Sequence, residues 1–578
     1  MIWKKWWPVI LLSFFTAIVY SNSLTGDFIF DDQWHINKPV LKSLWPPWKF
    51  LGLTGEQITR PTVYFSLAVN HAISGYQPWS YHLFNLIIHI LNSTFLFQIL
   101  RRTFLTSPLK KKYGRESKFL AFIFSIIWAI HPIQTQAVTY IIQRCESLMS
   151  SFFILTLYCA IRGWDTPQKT MWHSLSILFF FLGVGTKEVI VFAPLIVFLY
   201  RWIFFLQPIK KIILESKFLF AGFLVGYIFQ FVFLAFLCYG VWQKAMGNSQ
   251  AEYVINQTKV IVHYLKLVFW PKTLCFDYQG WPIVSFEELR PYFAFVSTLL
   301  VFSIFFSIRR KPIGFAGAWF FLPLLPTSII PLSDPVFEHR MYLSSAAPIV
   351  LAGLFGIGIF RTLKLRVAFN PNLDNALGKL SFALLVMVVA ILGYSTFQRN
   401  FDYATNSSIW EDTVKKNPGC WRGFMAKGIA FLSKGENSAA MDCFDKAIAI
   451  SPKQFLIYKM YSVLLLRMGK YLEAEKYCRT ALTLYFFNVA EKEIIDLSKV
   501  SRLPPLETIR HPYIRSWIQD YSNMVLLHGK ILISQERLGH AVPIVQEALR
   551  VDPESMEAHE QMNIIFSKMK NNELNSRH

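Results

Sequence analysis

The sequence predicts an all-α protein: a polytopic membrane domain followed by a helical-repeat solenoid. Two observations predict the membrane part. Of 578 residues, 53% are hydrophobic and only 16% charged, against roughly 25% charged in soluble domains, and the apolar residues come in long runs. The solenoid is predicted by a change near residue 400, where charge becomes frequent and apolar positions take helical spacing. The net charge of +22 falls in short Lys/Arg segments between apolar runs. That is the pattern of cytoplasmic loops, not the contiguous basic face that nucleic acid requires. Seven cysteines are too scattered for a disulfide framework. Cys145, Cys159 and Cys238 are expected in the core, while Cys420, Cys443 and Cys478 leave a bridge open in the polar part.

Residues 1–7 are short and basic, and an apolar run follows to residue 24. No small-residue cleavage pattern precedes Asp27, so this run is expected to be an uncleaved first span starting inside. Residues 25–81 are rich in Trp and Pro. They predict a long outside loop with interfacial helices, one of them starting at Arg60-Pro61, since Pro suits a helix start. Further spans are expected over 82–100, 119–130, 140–161, 173–185, 189–202, 218–241, 292–308, 313–330, 346–360 and 380–394. Arg101-Arg102, Lys110-Lys111-Lys112, Lys210-Lys211, Arg309-Arg310-Lys311 and Arg361 mark the inside ends. Residues 259–271 read as an interfacial helix, too short to cross. The total of about eleven spans places the rest of the chain outside, giving a membrane domain over 1–398 and an extracytoplasmic domain over 399–578.

In the polar part a period of about 34 residues appears, the length of a tetratricopeptide repeat (TPR). Gly428, Phe431, Ala440, Phe444, Ala447 and Pro452 fill one unit. Tyr461, Ser462, Leu465, Ala474, Cys478 and Ala481 fill the next, and Gly529, Leu532, Ala541, Val545, Ala548 and Pro553 a later one. Small residues recur where paired helices approach closely. The register is lost between 486 and 521.

The unusual ionisable groups collect at the outside ends of the spans: Asp31, Asp32, Arg60, His71, His131, Arg144, Glu146, Lys187, Glu188, Glu338, His339 and Arg340. Carboxylates at the mouth of a span are costly and mark function. Acids and cations together fit a site for a membrane-borne anionic substrate that needs a base. Each residue also has a plainer role. Asp31 or Asp32 could cap a helix, Lys187 and Glu188 could pair, His131-Pro132 could end a helix, and Arg340 could reach headgroups. No Gly-rich phosphate loop, metal-ligand cluster or nucleophile elbow is present. A transporter would need polar groups deep in its spans, and these spans read as mostly clean.

One ordered set of segments is specific: Phe30-Asp31-Asp32, Arg60-Pro61 through Tyr81-His82-Leu83-Phe84-Asn85, Trp128-Ala129-Ile130-His131-Pro132 with Gln136-Ala137-Val138, Thr186-Lys187-Glu188, Leu274-Cys275-Phe276-Asp277-Tyr278, and Glu338-His339-Arg340-Met341-Tyr342-Leu343. With the repeats behind it, this set resembles the TMTC-type membrane O-mannosyltransferases and their prokaryotic relatives, which are GT-C-fold glycosyltransferases. The resemblance implies a GT-C-like membrane domain. It implies transfer of a sugar, mannose in the family, from a polyprenyl-phosphate donor to a protein hydroxyl on the extracytoplasmic side, with inversion. Asp31 or Asp32 would be the base. Arg60, Arg144, Lys187 and Arg340 would lie near the donor phosphate, with His131, Glu188, Glu338 and His339 in support. No cofactor is evidently required, though the acids admit a divalent cation. The TPR groove would present the protein acceptor, and no nucleic acid is involved. Compact loops point to a bacterial inner membrane with the repeats in the periplasm. The sequons Asn256-Gln257-Thr258 and Asn406-Ser407-Ser408 admit the endoplasmic reticulum instead, with the repeats in its lumen. Competing readings are transfer to a lipid or envelope glycan, and a membrane-anchored TPR scaffold without activity.

Overall fold

The computed structural model describes residues 2–51, 59–242, 249–282, 285–332, 334–367, 371–491 and 512–575. Among these residues every regular element is helical. The first part comprises α1 (Ile2–Val19), α2 (Asp31–Ile36), α3 (Pro61–Ser74), α4 (Trp79–Phe104), α5 (Ser117–Ala129), α6 (Arg144–Asp165), α7 (Lys169–Val184), α8 (Ala193–Phe204), α9 (Lys217–Trp242), α10 (Ser249–Phe269), α11 (Phe286–Ile308), α12 (Pro312–Ile329), α13 (Ala346–Val367), α14 (Pro371–Asp402) and α15 (Asn406–Lys416). The second comprises α16 (Trp421–Lys434), α17 (Asn437–Ile450), α18 (Phe455–Arg467), α19 (Tyr471–Glu491), α20 (Pro512–Ser534), α21 (Leu538–Val551) and α22 (Met556–Asn575). Shorter connecting helices carry no label.

Each apolar run of the sequence is helical, and the protein is a multi-pass membrane protein. By length and composition six helices can cross a bilayer: α4, α6, α11, α12, α13 and α14. Two bent pairs raise this to eight, α5 with 132–138 (54°) and 209–215 with α9 (84°). The expected count of about eleven is therefore higher than helix length alone supports. At 1.5 Å per residue, α7 and α8 are only about 24 and 18 Å long, against a hydrocarbon core of about 30 Å. α10 starts earlier than the expected interfacial helix, at Ser249. It carries Glu252, Lys259 and Lys266 and is not among the crossing candidates.

The chain divides into two compact units, 1–412 and 413–578, rather than at 398. The reason is local. α14 runs unbroken to Asp402, and Arg399 binds both Asp402 (3.0 Å) and Asp412 (2.6 Å). Trp410 packs edge-on against Phe30 (5.2 Å) and Phe276 (5.3 Å). The start of α15 is thereby part of the membrane unit.

Within the first unit, polar groups inside the helices form a frame. Trp128 Nε1 donates to the Tyr342 carbonyl (3.0 Å), and the Tyr342 hydroxyl meets His89 Nδ1 (2.7 Å) and Asn92 Nδ2 (3.0 Å). α4 is therefore less clean than its hydropathy indicates, but these groups are satisfied, as burial demands. The end of α14 holds the first loop. Asn400 Nδ2 donates to the Val19 carbonyl and Asn22 Oδ1, and the Asp27 N–H donates to the Ala404 carbonyl.

In the second unit the small repeat residues mark close helix approaches. A Cβ on Gly428 would sit 2.6 Å from the Phe444 ring. Ala440, Phe444, Ala447, Ser462, Ala474 and Cys478 are fully buried. Of the stretch 486–521 where the register is lost, residues 492–511 lie outside the described residues, and the flanks belong to α19 and α20. Cys145, Cys159, Cys275, Cys420, Cys443 and Cys478 are all free and buried, so the C-terminal bridge left open above does not form among them. The Cys238 side chain lies outside the described residues.

The turn inside each repeat carries a left-handed residue: Gly435 (φ 82), Gly469 (φ 75) and, in the third, Glu536 (φ 58). A side chain in that conformation costs about 1–2 kcal/mol, partly offset by the larger chain entropy that glycine loses on folding. Glu536→Gly is expected to stabilise the solenoid by about 0.5–1 kcal/mol, read as a rise in its unfolding midpoint.

Candidate functional site

The acid pair sits on a strained, pinned loop. Phe30, which caps α2, has φ 44 and ψ −115, a conformation costly for any residue with a Cβ. Three contacts hold it there. Its N–H donates to Asn406 Oδ1 (2.8 Å), and its ring packs on Phe276 (5.9 Å) and Trp410 (5.2 Å). The Asp31 N–H donates to the Tyr140 hydroxyl (3.2 Å). From this point the two carboxylates diverge. Asp31 is exposed, whereas Asp32 is buried. Asp32 Oδ1 accepts from the Ile142 N–H (2.7 Å) and Oδ2 from the Ile29 N–H (3.1 Å). The first of these satisfies an orphan donor at the start of the helical turn that leads into α6. Burial pushes the Asp32 carboxyl up to about 8, against the opposing pull of the two N–H groups.

A cation cluster lies behind this loop. The Thr62 N–H donates to the Gly185 carbonyl (3.0 Å) and Thr62 Oγ1 to the Leu182 carbonyl (3.0 Å). These bonds set the start of α3, and Arg60 with it, against the Thr186-Lys187-Glu188 turn. Lys187 Nζ pairs with Glu146 Oε1, both side chains buried. His339 Nε2 is 3.9 Å from the same oxygen. Burial alone would raise the Glu188 carboxyl, but Lys187, Arg60 and Arg340 together hold it below its ordinary value. Burial, and to a lesser degree Lys187, Arg340 and Arg60, keep the His339 imidazole well below its usual pKa. Its Nδ1 donates to Gln136 Oε1 (3.0 Å), leaving Nε2 as an acceptor toward the cluster. Arg340 donates to the Pro335 (2.6 Å) and Asp334 (2.8 Å) carbonyls. A narrow crevice beside the cluster is lined by charged Glu146 and Arg340 and by apolar Met149, Val189, Pro323 and Leu343. Arg60, Lys187 and Arg340 against Glu146 and Glu188 leave one net positive charge.

Three residues expected at this site are placed elsewhere. Arg144 is not gathered with the other cations. Its guanidinium donates to Asn85 Oδ1 (2.6 Å), Asn70 Oδ1 (2.6 Å), Ser66 Oγ (3.2 Å) and the Tyr81 carbonyl (2.9 Å), and lies over the Phe84 ring (4.6 Å). It locks α3, α4 and α6 together. Arg144→Lys, which cannot reproduce the fork, is expected to destabilise the membrane unit by about 2–4 kcal/mol, seen as a lowered unfolding midpoint in detergent. His131 has both nitrogens engaged: Nδ1 accepts from the Ile133 N–H (3.2 Å) and Nε2 donates to the Val268 carbonyl (2.9 Å). Glu338 accepts from the Cys275 N–H and the Tyr278 hydroxyl (2.7 Å) and faces Arg399 at 3.9 Å. It ties the Glu338–Arg340 turn to the frame. Lys187, for which pairing with Glu188 is the plainer role, makes its close ion pair with Glu146. The two sequon asparagines differ in exposure, Asn406 being half-buried. Asn256 is buried on α10, and Asn406 holds Phe30.

His35 is a further residue of the site. Its Nδ1 is 2.6 Å from the Tyr64 hydroxyl, joining α2 to α3. Burial, with Lys38 and Arg60 nearby, lowers it to about 4. Lys38 Nζ lies over the Tyr64 ring (4.8 Å). The signal for this contact was the spacing: His35 lies one helical turn after Asp31, and Tyr64 one turn after Arg60. Among the described residues, no three His, Cys, Asp or Glu side chains converge as metal ligands.

A family model described as tetratricopeptide repeat matches residues 422–454, the α16–α17 pair. The chain is 25% identical over 487 residues to Protein O-mannosyl-transferase TMTC3 of Homo sapiens, covering 75% of this chain and 50% of that protein. It is 25% identical over 439 residues to Protein O-mannosyl-transferase F38B6.6 of Caenorhabditis elegans (71% and 58%). Against Protein O-mannosyl-transferase TMTC2 of Mus musculus it is 32% identical over 180 residues (29% and 20%). The chain is thus a homologue of the TMTC-family proteins, and it spans about half the length of the curated relatives it matches.

Proposed function

We propose that the chain transfers a sugar from a polyprenyl-phosphate donor to a hydroxyl of a protein acceptor, outside the cytoplasm and with inversion at the anomeric carbon. The observation that carries this reading is the presence of an exposed carboxylate, Asp31, on a loop clipped to α3, and of a cluster, buried at Glu146, Lys187 and Arg340 and half-buried at Arg60 and Glu188, whose cations exceed its carboxylates by one. A sugar phosphodiester brings one negative charge and so matches that excess. The acceptor oxygen attacks the anomeric carbon, its proton passes to Asp31, and the bond to the phosphate oxygen breaks. The leaving lipid phosphate gains a second negative charge in that step. Arg60, Lys187 and Arg340 therefore hold it more tightly in the transition state than in the donor. No step is routed through a metal.

The names of the relatives support mannose as the sugar and protein as the acceptor, and the TPR unit suits acceptor presentation. The same reading puts the solenoid in the periplasm of a bacterium, or in the lumen if the membrane is that of the endoplasmic reticulum. The test is purified protein in nanodiscs with radiolabelled polyprenyl-phosphate mannose and a mixture of secreted proteins. Label is expected in protein. Label in lipid or glycan instead would replace the acceptor, and turnover of a nucleotide sugar in place of the lipid donor would overturn the reading. A chain that consumes neither donor would leave the scaffold.

A further inference from the structure

Gln136 lies between the acid loop and the cation cluster and bonds toward both. Its side chain is buried. Nε2 donates to the Phe276 carbonyl (2.9 Å), and Oε1 accepts from the His339 N–H (2.8 Å) and from His339 Nδ1 (3.0 Å). Two of these partners are backbone groups of fixed polarity: a carbonyl only accepts and an N–H only donates. They decide which end of the amide is the oxygen. That oxygen in turn requires the imidazole proton on Nδ1. The lone pair of Nε2 is thereby turned toward the cluster, with Glu146 Oε1 at 3.9 Å. The polarity of the backbone thus selects the tautomer of His339 through one side chain.

The other end of the amide reaches the acid loop. It holds the Phe276 carbonyl, and the Phe276 ring packs on Phe30 (5.9 Å) and Tyr140 (5.2 Å). Phe30 is the residue of positive φ, and the Tyr140 hydroxyl receives the Asp31 N–H (3.2 Å). The direction of Asp31 therefore depends on where Phe276 is held. A parallel tie exists, because the Cys275 N–H donates to Glu338, the residue before His339. Loss of Gln136 would then loosen the loop without releasing it.

We infer that Gln136 is a positioning residue that couples the two halves of the site. It presents the Nε2 lone pair of His339 to the cation cluster and, through Phe276, keeps Asp31 aligned with it. The coupling stands on these contacts, and its effect on transfer rests on the function proposed above.

Two measurements test it on the full chain in nanodiscs. The first is amide hydrogen exchange in Gln136→Leu. The N–H groups of Ile29, Phe30, Asp31 and Asp32 are all hydrogen-bonded in the native loop. They are expected to exchange about tenfold faster in the variant, while α6 keeps its protection. Unchanged exchange at 29–32 would overturn the coupling. So would an equal rise in α6, which marks general loosening. The second is the pH dependence of polyprenyl-phosphate mannose turnover in Gln136→Glu. A protonated carboxyl offers an O–H to the Phe276 carbonyl and an oxygen to the His339 N–H, as the amide does, whereas an ionised one has no donor. The charged groups nearby are the same in both proteins: Lys187, Arg340, Arg60 and Glu146 around His339, and Glu338 and Arg399 around Cys275. Turnover relative to the native protein at the same pH is expected to recover several-fold from pH 9 to pH 5. In Gln136→Leu, which has no proton to take up, that ratio should stay low and level. A level ratio in Gln136→Glu as well would overturn the positioning role. If the native chain turns over no polyprenyl-phosphate mannose, the proposed function fails, and exchange at 29–32 alone decides the coupling. Gln136→Glu at pH 9 replaces Gln136→Leu in the exchange experiment if the latter does not elute as the native protein does.

Discussion

Asp31→Asn is expected to lower the rate of transfer by about 10²- to 10⁴-fold, the usual worth of a positioned base, without moving the unfolding midpoint. Asp32→Asn is expected to act in the opposite order. Asn offers one acceptor oxygen where Asp32 receives two N–H groups, from Ile142 and Ile29. One buried donor is then left unmade, at about 1–3 kcal/mol, and the loop that aims Asp31 loosens. The variant should be less stable first and slower as a consequence. pH separates the two further. The Asp32 carboxyl lies near 8 in the fold against an ordinary 3.8, so the native state holds that proton more tightly than the unfolded chain. The stability this brings is full below about pH 4 and is lost as pH rises through 8. Asp32→Asn should flatten that slope, and Asp31→Asn should leave most of it, because burial is its main cause and the Asp31 charge a lesser one. Turnover and thermal midpoints measured together from pH 5 to 9 decide the matter. A stable, inactive Asp32→Asn beside an active Asp31→Asn would exchange the two roles.

The sequence made the acid pair visible because two carboxylates beside an apolar run are costly. It did not show which one faces outward. That direction depends on the positive φ of Phe30, and the groups that hold it are Phe276, Asn406 and Trp410, far along the chain. Arg144 shows the same limit in reverse. At the head of an apolar run it reads as a phosphate ligand, but Ser66, Asn70 and Asn85 from two other helices claim its guanidinium. Many residues in the motifs that carry the family resemblance are frame residues: Asn85, Trp128, His131, Gln136, Tyr278 and Glu338 each bond across elements. Helices and repeats were legible because apolar periodicity is local. Site membership was not, because it is decided by partners that periodicity does not name.

Lys187→Met is expected to destabilise the membrane unit by about 3–5 kcal/mol. The substitution leaves Glu146 buried, at 4% side-chain exposure, with its nearest cation gone. Lys187→Met/Glu146→Leu removes both charges. A buried ion pair replaced by packed apolar groups is often neutral in stability or better, so the double variant should recover a midpoint near that of the native protein. Transfer should not recover. Removing one cation and one carboxylate keeps the net charge of the cluster, but it takes away the ammonium proposed to meet the leaving phosphate. That loss falls mainly on turnover, because the charge it stabilises appears as the bond breaks. The comparison thus separates the two roles of Lys187. If the double variant is both stable and fully active, Lys187 serves only to neutralise Glu146, and the donor phosphate is held by Arg60 and Arg340 without it.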